Sequence, residues 1–165
     1  MYSPFLYSRV KKFVDTYGVG VAKAIAGTGL FFPAVLGQAA FESGYGDRIP
    51  AGSNNFGGIK YNPNLAGVIG FVDSATTEGK KGGKIINTVQ RFSKFKDVES
   101  GFKAHIQVLL LPRYENARLT AKTPEEQILM FVKAGYSTLP PQTYLDRSKS
   151  VIQAVADYSK IGRIK

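Results

Sequence analysis

A chain of 165 residues, 44% hydrophobic and 12% aromatic, suits one domain with an ordinary core and leaves little room for a second. With no cysteine and a single histidine, His105, it excludes disulfides, thiol nucleophiles and Cys/His zinc sites; no nucleophile-elbow sequence supports a serine triad either. A formal charge of +10, from 22 Lys and Arg against 12 Asp and Glu, draws the chain toward polyanions, but the cations are too scattered to name one.

Ser3-Pro4 reads as a helix start, a capping hydroxyl followed by a proline that needs no N–H. Phe5, Leu6, Val10, Phe13 and Val14 recur at helical spacing until Gly18, and a second short helix is expected over 19–26, ended by Gly27-Thr28-Gly29. A third helix begins near Phe32-Pro33 and runs to about Ser43. Apolar nearly all round, it is the expected central buried helix. Residues 45–65 are loop-rich. The helical period then disappears: residues 68–72 and 87–92 read as strands, with the lysine- and glycine-rich 79–83 as the turn between. Helices return over 97–111, with Asp97 as cap, and after Thr123-Pro124-Glu125-Glu126, a capping box opening a helix to about Ala134. The last follows Pro140-Pro141 to about Ser159. The expected fold class is α+β, a mainly helical single domain over 1–165 with a small antiparallel β-hairpin lobe. No run is apolar enough to span a membrane, and Arg9, Lys11, Lys12 and Asp15 interrupt any early signal-like segment.

The stretch QAAFESGYGDRIPAGSNNFGGIK, residues 38–60, places Glu42 at the end of the buried helix, against a glycine-rich polar loop. Apolar surroundings favour the neutral carboxylic acid, which a general acid working near neutrality requires. Asn54 and Asn55 offer amides and Tyr45 and Tyr61 flat faces, groups that suit the hydroxyls and apolar face of a sugar. On spacing alone Glu42 reads equally well as a helix-end carboxylate with no chemistry.

The motifs decide between these readings. Gln38-Ala39-Ala40-Phe41-Glu42-Ser43-Gly44-Tyr45-Gly46 resembles the Q-A-A-L-E-S-G-W-G signature of glycoside hydrolase family 73, the peptidoglycan-cleaving N-acetylglucosaminidases of the flagellar-muramidase and autolysin type, with Tyr45 replacing tryptophan. Residues 54–60 are similar to its N-N-L-F-G-I-K, residues 90–102 to its later F-R-x-Y segment, and Ala134-Gly135-Tyr136-Ser137-Thr138 to its A-G-Y-A-T. The resemblance implies a lysozyme-like fold, with the glycan groove between the helical body and the hairpin and Glu42 as general acid. It implies Glu78, in Thr76-Thr77-Glu78, as the second carboxylate, with Asp73 as its nearest substitute. It also implies Tyr136 as a residue lining the groove. The alternative for Glu78 is an exposed strand-end glutamate, and for Tyr136 a packed loop aromatic; His105 reads as structural.

The implied reaction is hydrolysis of the β-1,4 bond after N-acetylglucosamine, with no metal or organic cofactor. A muramidase or lytic transglycosylase on the same fold is the alternative, disfavoured by Gly58-Ile59-Lys60 and the absence of a G-L-M-Q-like motif; a non-catalytic wall-binding module is another. Peptidoglycan strands are the expected partner of a monomer, with neither nucleic acid nor membrane insertion. The expected place of action is the cell wall or periplasm, reached by phage-type lysis or a secretion route without a signal peptide.

Overall fold

The computed structural model describes residues 3–79 and 85–160, with side chains at 76–79 and 85–86 outside the description. The elements are α1 (Pro4–Ile25), α2 (Phe32–Ser43), β1 (Val68–Gly79), β2 (Ile85–Phe95), α3 (Val98–Leu109), a 3-10 turn (Pro112–Tyr114), α4 (Glu115–Thr120), α5 (Pro124–Lys133) and α6 (Pro141–Lys160). They form a mainly helical α+β body carrying one two-stranded antiparallel sheet.

The expected break near Gly18 does not occur: α1 is one helix of 22 residues. Glycine inside a helix costs about 1 kcal/mol. Val10, Phe13, Val14, Gly18, Val21 and Ile25 all bury on one continuous face, and that packing outweighs the two glycine penalties. Both strands run well beyond their apolar cores, pairing Phe71↔Ser93 through Gly79↔Ile85. Ladder bonds belong to the backbone, so polar residues such as Ser74 and Gln90 extend the ribbon with no apolar alternation to announce it. Of the turn expected over 79–83, Gly79 belongs to β1 and the rest falls on residues outside those described. The 3-10 turn and α4 went unread because elements this short show no periodicity.

The caps follow the sequence. Asp97 accepts from Ser100 N (2.7 Å), and Thr123 accepts from Glu126 N (3.1 Å). Glu126 reaches back to Lys122 N (2.7 Å), one residue before the cap.

α2 is the hub. Residues 34–40 are buried on every face, and the helix packs against α1, α5 and α6. The approach to α6 depends on Gly37, where a methyl group would come within 2.9 Å of Ile152 Cα. A second cluster, Phe13, Tyr17, Phe56 and Phe102, ties the loop after α2 to α1 and α3, with Phe56 stacked on Phe102 at 4.6 Å. α2 is therefore fixed along its length, and the end that carries Glu42 has a rigid mount.

Candidate active site

The end of α2 is stopped by Gly44 in the left-handed region (φ 56°), and Tyr45 N donates to Ala40 O (2.8 Å). Ser43 Oγ donates to Ala39 O (2.6 Å) and accepts from Gly46 N (2.9 Å), and the Arg48 guanidinium donates to Phe41 O (3.1 Å). These bonds satisfy the terminal carbonyls and fix the direction in which residue 42 leaves the helix.

Glu42 stands where two cavities meet. One, of about 570 Å³, is lined by Lys60, Arg113, Tyr114, Tyr136, Ser137 and Thr138; the other, of about 240 Å³, by Arg48, Asn55, Ser74 and Ala75. Glu42, Gly58 and Phe92 border both, so a groove runs between the helical body and the hairpin with the carboxyl at its join. A larger hollow of about 640 Å³ between α1 and α3 has only Glu99 as an acid, ion-paired with Lys103 at its rim.

Tyr144, at the start of α6, donates its hydroxyl to Glu42 Oε1 (2.6 Å). One edge of Glu42 is open to solvent, while walls crowd the rest of the carboxyl. Their desolvation raises its pKa above the ordinary carboxylate value, against the opposing pull of the Tyr144 hydrogen bond and the Arg48 charge. The C-terminal end of a helix dipole acts in the same direction as desolvation. The carboxyl therefore holds its proton more tightly than a free glutamate and remains open for delivering it.

Tyr136 lies beside this pair. Its ring is half-buried, edge-on to Tyr144 at 6.3 Å, and its hydroxyl is buried without a hydrogen-bond partner among the described residues. Burial first holds both tyrosine hydroxyls protonated well above the ordinary range, reinforced by the nearby Glu42 for Tyr136 and by Tyr136 and then Glu42 for Tyr144. His105, edge-on to Tyr136 at 6.4 Å, is pushed down to about 4 by burial and is neutral, in keeping with a structural place.

The other expected residues separate. Tyr45 and Asn54 line a different hollow of about 460 Å³ with Arg9, whose guanidinium covers the Tyr45 ring at 4.5 Å and pairs with Asp47. Asn54 Nδ2 donates to Phe95 O (3.0 Å). Asn55 borders the smaller cavity, but its amide is spent on the chain. Nδ2 donates to Ile59 O (2.9 Å) and Ser93 O (3.0 Å), and Oδ1 accepts from Ile59 N (2.9 Å). These two asparagines anchor the loop to β2, a use of the side chain that composition does not distinguish from sugar binding. Tyr61 is exposed against Phe71 (5.1 Å), in a hollow that shares Ile59, Lys60 and Val108 with the larger cavity and so continues the groove.

On β1, Asp73 pairs with Arg91 (3.3 Å), and the next two residues, Ser74 and Ala75, both border the groove. Position 78 is paired with Ile86, and its side chain lies outside the described residues. Among the described residues, Glu42 is the only carboxylate lining either cavity, and no three of His, Asp and Glu gather as a metal site. No described helix is long and apolar enough to cross a membrane.

The sequence reading did not identify Tyr144, Arg48 or Arg113. Tyr144 had a signal: a hydroxyl-bearing ring that begins the buried stripe of α6, just after Pro140-Pro141.

Residues 21–157 match the glucosaminidase family, described as mannosyl-glycoprotein endo-beta-N-acetylglucosaminidase. The chain belongs to this family. Glu42 lies within the matched span. The chain is 28% identical over 161 residues to the peptidoglycan hydrolase FlgJ of Pseudomonas aeruginosa, covering 92% of this chain but only 40% of that protein. Among solved structures it resembles a peptidoglycan hydrolase mutant from Sphingomonas sp. A1, with TM-score 0.75 and 26% identity over 91% of this chain and 97% of that one. It also resembles a truncated glycoside hydrolase domain of Salmonella typhimurium FlgJ, with TM-score 0.68 and 27% identity over 90% and 98%. The lysozyme-like fold expected from the sequence is therefore the one observed.

Proposed function

We propose that this chain hydrolyses the β-1,4 bond after N-acetylglucosamine in peptidoglycan, working as a monomeric single domain at the cell wall and not on nucleic acid. The observation that carries the reading is Glu42: a carboxyl with a raised pKa at the join of two groove segments, held by the Tyr144 hydroxyl.

Glu42 in its acid form protonates the glycosidic oxygen as the bond to the sugar ring breaks through an oxocarbenium-like transition state. The Tyr144 hydroxyl, donated to Oε1, leaves the second carboxyl oxygen to carry the proton. It also steadies the carboxylate that forms on transfer, because the bond it makes is strongest to an ionised acceptor. Tyr136, hydroxyl inward and ring on the cavity wall, positions the reacting sugar. Glu78 is the second carboxylate in this reading, with Asp73 as its substitute, because Asp73 is engaged by Arg91. In that role Glu78 activates water or stabilises the positive ring. Tyr61 extends the groove with an exposed ring on which an outlying sugar stacks. The +10 charge favours residence on an anionic wall.

The test is the chemistry of the new chain ends. Sacculi digested, reduced with borohydride and hydrolysed should yield reduced N-acetylglucosamine derivatives. Reduced muramic acid would mean a muramidase instead, and anhydro-muramic ends a lytic transglycosylase.

A further inference from the structure

We propose that Arg113 binds a carboxylate of the substrate, so that the groove selects glycan carrying acidic peptide substituents over the bare sugar backbone. The inference rests on the peptidoglycan reading above: every second sugar of such a strand carries a lactyl-linked peptide with free carboxylates. Cleavage after N-acetylglucosamine puts one of those sugars directly beside the broken bond.

Arg113 shares the 570 Å³ cavity with Glu42. It sits in the 3-10 turn opened by Pro112, and its guanidinium lies 4.7 Å over the ring of Tyr114. That ring is 1% exposed and wedged edge-on against Phe131 at 5.5 Å, so the platform under the arginine is part of the core. A guanidinium whose flat face is taken by an aromatic keeps its N–H edge for a planar bidentate acceptor, and it loses little freedom on binding one. No ion pair engages Arg113 among the described residues. Arg113 and Glu42 border the same cavity, so an acidic group held by the guanidinium lies beside the bond that Glu42 protonates. A neutral glycan leaves the charge of Arg113 unused, whereas an acidic substituent beside the scissile bond does not.

The experiment compares untreated sacculi with sacculi whose carboxyls have been capped by carbodiimide and glycinamide. The wild-type protein should lose about fivefold in kcat/KM on capping, mainly through KM, the size of a solvent-facing charge pair. Arg113→Gln should start about fivefold lower on untreated sacculi, melt at the wild-type temperature and be indifferent to capping. Lys23→Gln, which removes the same charge on the last turn of α1, should behave like wild type. Wild-type indifference to capping would overturn the proposal, as would a full capping effect retained in Arg113→Gln or an equal loss in Lys23→Gln. Co-sedimentation of Glu42→Gln and its Arg113→Gln double variant with the two preparations repeats the comparison without turnover. Arg113 is thus tested even if the product ends are not those of a glucosaminidase.

Discussion

The end of α2 and the β-hairpin face each other across the groove and are stabilised by opposite means. Glu42 leaves a helix packed on all sides, its last turn fixed by Gly44, Ser43 and Arg48 and its carboxyl held by a hydroxyl from α6. The hairpin is a two-stranded ribbon anchored near its base, where Phe95 and Ser93 are buried, Asn55 bonds to β2 and Lys60 bridges to Phe92. Along its length it shows Ile69, Phe71 and Val89 to solvent, at 60%, 41% and 67% exposure. Two strands alone are marginal in water. The groove therefore joins a pre-organised proton donor to a wall that depends on its root, and stability and chemistry should separate accordingly.

The strongest break of that comparison is Glu42→Gln. The amide still accepts from Tyr144 but has no proton to give, so turnover on sacculi should fall by roughly 10²–10⁴-fold. Stability should move the other way or not at all. A carboxyl whose folded-state pKa is raised costs stability on ionising, as pH rises through that pKa, and glutamine removes the cost. Melting at neutral pH should therefore be no lower than wild type. A lower melting temperature, or activity within a few-fold of wild type, would remove Glu42 from the acid role.

On the hairpin, Glu78→Gln should lower turnover by roughly tenfold or more if it is the base, and Asp73→Asn should stay within about twofold. Both are assayed on one sacculus preparation. The reverse order would give the role to Asp73, and two near-normal rates would leave the substrate's own acetamide as the partner of Glu42. Asn55→Ala tests the root. It removes the Asn55 partner of Ile59 N–H and Ser93 C=O and one of two donors to Ile59 C=O, so it should cost about 1–3 kcal/mol by denaturant unfolding. Lost activity at unchanged stability would instead make Asn55 a sugar ligand.

The contrast also explains what the sequence disclosed. α2 was legible because a helix buried all round writes one apolar run, and Glu42 followed from where that run stopped. The caps at Asp97 and Thr123 were legible because capping is local chemistry. The unbroken α1 was not: Gly18 and Gly20 look like a stop until the face that Gly18 shares with Phe13 and Val21 is seen to be core. Nor could composition separate Asn55 the scaffold from Asn55 the sugar ligand, since its partners Ile59 and Ser93 meet it only in the fold. Tyr144 lies 102 positions from Glu42 along the chain, a pairing created only by the packing of α6 on α2.

That pairing supplies the smallest and most selective test. Tyr144→Phe keeps the ring, edge-on to Phe41 at 5.6 Å and to Tyr136 at 6.3 Å, and removes only the hydroxyl. Turnover on the acidic plateau should fall a few-fold, since the carboxyl loses an orienting bond worth about 1 kcal/mol. The pH profile is the sharper readout. Tyr144 donates to a carboxylate oxygen and so favours the ionised form, pulling the Glu42 pKa down against the larger lift from burial. Without the hydroxyl, burial acts with less opposition and the pKa rises further. A general acid works while protonated and fails as pH climbs through its pKa. The alkaline limb of kcat/KM should therefore move to higher pH in Tyr144→Phe. A limb that stays in place, or moves to lower pH, would mean that the hydroxyl serves something other than Glu42.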